Sequence, residues 1–160
     1  MVNRELPHVF VLPEDRANLQ VATGFHLSVD WNLQRQMQVL QVAGGWREVL
    51  RRFNNNEVHG MDTCPCRYMV LLLDFDRRQD RLDLARAEIP ARLAERVFIL
   101  GTLTEPEDLK RAGFGNYEAI GSALATDCRE DTATTWGHDL LQHNATELDR
   151  LREHVRPILF

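Results

Sequence analysis

Tyr68-Met69-Val70-Leu71-Leu72-Leu73 runs without a break into Asp74-Phe75-Asp76. Six consecutive apolar residues are too few for a free-standing helix and suit a strand buried on both faces, as at the centre of a parallel sheet. Upstream, His8-Val9-Phe10-Val11-Leu12, bounded by Pro7 and Pro13, has the same character and is followed at once by Glu14 and Asp15. Gln36 to Ala43, stopped by Gly44-Gly45, and Arg96 to Leu100, closed by Gly101, read as two further strands.

The intervening segments carry helical periodicity. Leu19, Ala22 and Phe25 to His26 predict a helix from Glu14 to Leu27 with an acidic first turn, as the helix dipole prefers. Trp46, Val49, Leu50 and Phe53 predict another, ending in Asn54-Asn55-Asn56, and Gln79 to Ala87 a polar third. Beyond Gly101 the chain reads as Pro106 to Ala112, Tyr117 to Cys128 capped by Asn116, and His138 to His154, with Arg156 to Phe160 a short strand or an apolar tail. This alternation predicts an α/β fold: a mostly parallel four- or five-stranded sheet with helices on both faces and a helical C-terminal addition. The 160 residues show no repeat and no linker, which predicts a single domain.

Composition narrows the functional classes. A net charge of −5 argues against holding nucleic acid by bulk charge alone, although a bound cation can supply the missing positive field. Arginines cluster at Arg47, Arg51 and Arg52 and at Arg77, Arg78 and Arg81, either as solvated helix faces or as phosphate contacts. No run reaches the roughly 18 apolar residues of a membrane span, and no signal peptide is visible. Three cysteines are too few for a disulfide framework, so a cytoplasmic location is expected.

In parallel sheets, ligands bind beyond the carboxyl ends of the strands. Glu14 and the Asp74/Asp76 pair both follow strands directly and are therefore expected at one edge. A shared site with a water-bridged cation requires their carboxylates to lie within about 12 Å. Strand alternation would point Asp74 and Asp76 the same way with Phe75 opposite, a pair of oxygen donors suited to Mg²⁺ or Mn²⁺. The bland alternative is that Asp74 caps the next helix and Asp76 is solvated.

A strand ending at a Glu, a helix, a second strand, another helix, and a strand ending in Asp-x-Asp resembles the Toprim domain of topoisomerases, primases and small nucleases. The resemblance spans residues 8 to 101 and rests on Val9-Phe10-Val11-Leu12-Pro13-Glu14-Asp15-Arg16 and on Tyr68 to Asp76. It implies Glu14 in proton transfer and Asp74 and Asp76 as Mg²⁺ ligands in phosphodiester processing of nucleic acid. Where the family usually places a Gly after the Glu, this chain has Asp15, and Pro13 precedes the Glu. The resemblance therefore also allows a non-catalytic Toprim-fold protein serving a larger nucleic-acid or defence complex.

Other groups carry weaker signals. Glu105, in Thr104-Glu105-Pro106-Glu107-Asp108, and Asp15 are additional site candidates, although acidic residues around a Pro also suit an ordinary helix start. His59, Cys64 and Cys66 offer three zinc-type ligands where a structural site usually needs four. His138 and His143 are five apart, about 140° around a continuous helix, and would not share a ligand face. A receiver-like phosphoacceptor module needs a lysine after a late strand, and Lys110 is the only lysine.

Overall fold

The computed structural model describes residues 1–160. Four strands, β1 (His8–Pro13), β2 (Met37–Val39), β3 (Arg67–Leu72) and β4 (Val97–Leu100), form one all-parallel sheet in the order β2-β1-β3-β4. The register pairs His8 with Arg67 at one end of the central pair and Pro13 with Leu72 at the other. No helix is long and apolar enough to cross a membrane.

Because consecutive side chains of a strand face opposite ways, each strand feeds two cores. Val9, Val11, Val70, Phe98 and Leu100 face one core; Phe10, Leu12, Met69, Leu71, Val97 and Ile99 face the other. The first is covered by α1 (Arg16–Leu27), α5 (Pro106–Arg111), α6 (Tyr117–Glu130), α7 (Ala145–His154) and α8 (Arg156–Leu159). The second is covered by α2 (Trp46–Arg52), α3 (Val58–Thr63) and α4 (Gln79–Ala87). The C-terminal third thus forms most of one helical layer.

Helices α1 and α6 cross at two glycines. A Cβ built on Gly121 would lie 1.9 Å from the Val21 carbonyl oxygen, and one on Gly24 would lie 2.0 Å from the Glu118 carbonyl oxygen. This close approach sets the depth at which α1, and the acidic loop leading into it, sits on the sheet.

The outer edge of β4 is closed by side chains. Ile99 N–H donates to Glu147 Oε2 at 2.9 Å, and Gly101 N–H donates to Asn144 Oδ1 at 3.1 Å. Asn144 Nδ2 returns a bond to the Gly101 carbonyl at 2.9 Å, and Arg150 donates to the Val97 carbonyl at 3.4 Å. Four of the backbone groups that a fifth strand would pair, the Ile99 and Gly101 N–H and the Val97 and Gly101 carbonyls, are thus taken by α7 and the single 3₁₀ turn before it (Gln142–Asn144).

Several boundaries differ from expectation. The first turn of α1 holds no acidic residue; Asp15 stands outside as its N-cap, accepting the Asn18 N–H. The expected strand Gln36 to Ala43 shrinks to Met37–Val39, because beyond Val39 only isolated bonds (Leu40 to Val11, Ala43 to Pro13, Gly44 to Glu14) continue toward β1 and the residue after it. The helix begun at Trp46 does not stop at the asparagines: it passes through a π-helical turn, Phe53–Glu57, directly into α3, with Phe53 and Met61 both fully buried. The α7 helix starts at Ala145 instead of His138, and the terminal segment is helical, with Leu159 buried.

Candidate active site

The two central strands diverge in connection at their carboxyl ends: β1 leads outward to β2 on one side, and β3 leads to β4 on the other. This switch point is where open parallel sheets leave a crevice. Glu14 extends β1 by one ladder bond, its N–H donating to the Leu72 carbonyl at 2.9 Å. Its Oε2 accepts the Asp74 backbone N–H at 2.7 Å. Two residues sixty apart in sequence are thereby locked together, well inside the separation a shared cation requires.

Asn18 organises the other carboxylates. Its Nδ2 donates to Asp74 Oδ1 at 2.9 Å and to Asp15 Oδ1 at 3.1 Å, while its N–H completes the Asp15 cap. Asn18 and Asp74 are buried; Glu14 and Asp15 are half-buried. Glu14 Oε1 and Asp74 Oδ2 accept no hydrogen bond from the protein, which leaves two hard oxygen donors directed by a rigid frame.

Asp76 departs from the expected geometry. It and Arg77 have left-handed backbone conformations, φ 47° and 58°, so strand alternation no longer governs where the second carboxylate points. Asp76 is exposed and pairs with Arg81 Nη1 at 2.9 Å. Arg81 is buried, donates also to the Asp74 carbonyl oxygen, at 2.6 Å, and lies over the Trp46 ring at 4.8 Å. Phe75 does turn inward as expected, with the His143 ring edge-on against it at 5.1 Å.

The remaining candidates separate. Glu105 is exposed at the start of α5 and makes no side-chain cap bond. His138 stacks edge-on against Phe114 at 5.0 Å. His59 is exposed and stands apart from the cysteines, whose neighbour is instead His8.

Burial raises the Asp74 carboxyl to about 7, with the Asp15, Glu14 and Glu107 carboxylates adding to it and the Asn18 bond opposing. Burial likewise raises Glu14, helped by Asp15 and Asp76 and opposed by the Asp74 N–H and Arg81. A carboxyl whose pKa rises on folding stabilises the native state fully below its unfolded value and loses that contribution as pH climbs through the folded one. Relative to its protonated form, Asp74 therefore costs stability above about pH 7. A rise from 3.8 to about 7 corresponds to roughly 4 kcal/mol at full strength, or about 2 kcal/mol once solvent screening is allowed for. Asp74→Asn, which keeps an oxygen for Asn18, is expected to raise the melting temperature by about 4–8 °C at pH 8 in chelator. At pH 4 the gain should vanish. Thermal melts giving equal shifts at both pH values would show that the effect is not electrostatic.

One contributor, Asn18, was not singled out from the sequence, and two others, Arg81 and Glu107, stood there only as members of charged clusters. Asn18 was signalled only by the Asp-x-x-Asn spacing of a helix cap. Arg81 and Glu107 sit on helices with no local mark that they face the crevice. The chain matches no family model, no curated protein and no solved structure.

Proposed function

We propose that this chain is a Toprim-like protein that processes phosphodiester bonds of nucleic acid with Mg²⁺ or Mn²⁺. The observation that supports the reading is the hydrogen bond from the Asp74 N–H to the Glu14 carboxylate, which holds a half-buried carboxyl of raised proton affinity beside Asp74. Asp74 would hold the cation, joined by Asp76 on exchanging its Arg81 partner. When bound, the metal supplies positive charge against the phosphate oxygens. Glu14, with its affinity for a proton raised by burial, takes or returns the proton of the attacking or leaving oxygen. Arg77, and Arg78 on releasing its bidentate partner Asp80, would offer guanidinium forks to the phosphates.

A second reading is favoured by the Asp76–Arg81 pair and by the use of Asp15 as a helix cap. Both consume groups that an active site would leave free, and both fit a Toprim-fold interaction protein within a larger nucleic-acid complex. Incubation with single- and double-stranded DNA and RNA, in Mg²⁺, Mn²⁺ or chelator, separates the two. The catalytic reading expects cleavage only with metal, abolished in the Asp74→Ala/Asp76→Ala double variant. Cleavage that survives in that variant would overturn it. Calorimetric Mn²⁺ binding without cleavage of any substrate would favour the interaction protein.

A further inference from the structure

At the opposite end of the same strand pair lies a second group of ligands. His8, the first residue of β1, and Cys64 and Cys66, in the turn between α3 and β3, bring their ligating atoms within 4.8 Å of one another. The two thiols are 3.2 Å apart and half-buried, whereas His8 is fully buried. We infer that His8, Cys64 and Cys66 form a binding site for a thiolate-preferring d¹⁰ cation of the Zn²⁺ class, independent of the acidic crevice.

The donor chemistry fits. Two thiolates and one imidazole neutralise a divalent ion and form the Cys₂His set of zinc centres that keep a fourth position for water or an incoming group. With Zn–S near 2.3 Å and Zn–N near 2.0–2.1 Å, a tetrahedral ion needs its sulfurs about 3.8 Å apart and each sulfur about 3.6 Å from the nitrogen. The thiols therefore open by roughly half an ångström and the imidazole, within 4.8 Å of each sulfur, closes by at most about 1.2 Å, adjustments within the reach of side-chain rotation.

The imidazole is already oriented. A carbonyl oxygen only accepts, so the 2.8 Å contact from His8 Nδ1 to the Leu6 carbonyl places the proton on Nδ1 and the lone pair on Nε2. A backbone carbonyl on the far nitrogen is the arrangement that fixes metal-binding histidines. Nε2 now accepts from Arg67 Nε at 3.1 Å, so the cation would take that place. Arg67 has other anchors: its guanidinium lies 4.4 Å above Phe10, and its Nη1 sits over Gly60. The ladder sets the geometry: His8 stands in register with Arg67, and its N–H donates to the Cys66 carbonyl at 3.1 Å.

Titration of fully reduced protein with Co²⁺ in phosphine reductant tests the assignment. One equivalent should develop a thiolate-to-cobalt charge-transfer band with intense tetrahedral d–d absorption, and one equivalent of Zn²⁺ should remove both. Since outer-shell changes already cost 10–100-fold in affinity, Cys64→Ser and Cys66→Ser should each weaken Zn²⁺ binding by at least ~100-fold, and the double variant should show no band. His8→Gln, which retains hydrogen-bonding atoms toward Leu6 and Arg67, should move the d–d spectrum; if it fails to fold by circular dichroism, the cysteine variants decide alone. Asp74→Asn and His59→Ala should leave the spectrum unchanged. Absence of a charge-transfer band in the parent, its persistence in the double cysteine variant, or its loss in Asp74→Asn would overturn the site.

Discussion

Glu14→Gln is expected to slow metal-dependent phosphodiester cleavage by about 10²–10⁴-fold while weakening Mn²⁺ affinity by less than about tenfold. The amide oxygen of Gln can still accept the Asp74 N–H, so the crevice keeps its shape. What disappears is a group able to carry a proton. A base acts on the transition state, whereas a ligand acts on occupancy, and the two are distinguishable by measuring rate at saturating metal beside calorimetric affinity. Because burial raises Glu14, the parent rate should also show an ionisation above the ordinary carboxylate range that is missing from the variant. Equal losses in rate and metal affinity would reassign Glu14 from proton transfer to coordination.

Gly121→Ala is expected to destabilise the protein by about 3 kcal/mol or more, lowering the melting temperature by roughly 6–12 °C. On an exposed helix the same change stabilises by about 1 kcal/mol, because alanine is the better helix former, so the sign itself is diagnostic. Here the added methyl would sit 1.9 Å from the Val21 carbonyl oxygen and 2.7 Å from the Phe25 nitrogen. Neither atom is at the end of a flexible side chain; a whole helix has to retreat. Since α1 carries Asn18 and is capped by Asp15, the retreat should also loosen the crevice and weaken Mn²⁺ binding. A stabilised variant in thermal melts would show that the two helices do not meet at this depth.

Much of the architecture was legible because apolar runs and helical spacing are local signals. The β1 and β3 strands announced themselves, and their parallel arrangement put Glu14 beside Asp74. Asp76 was misdirected because alternation is a property of extended chain, and the backbone leaves that conformation at Asp76 itself. The asparagines at 54 to 56 are poor helix formers, yet burial of Phe53 on one side and Met61 on the other carries the helix across them. His8 as the neighbour of Cys64 and Cys66 follows from ladder register, which no stretch of sequence displays alone.

The side-chain closure of β4 bears on how this molecule behaves among its own copies. An open strand edge is a template on which a second chain can add a strand, the usual start of ordered aggregation. Glu147 and Asn144 occupy those positions with groups that cannot propagate a ladder, and Glu147 brings a carboxylate, paired with Arg150 at 2.7 Å, to any approaching backbone. At the other margin β2 offers only three residues. Both margins of the apolar sheet thus offer an incoming strand few free ladder positions. Truncation before Ala145 would remove Glu147 and Arg150 from this closure, converting a self-contained sheet into one that seeks a partner strand.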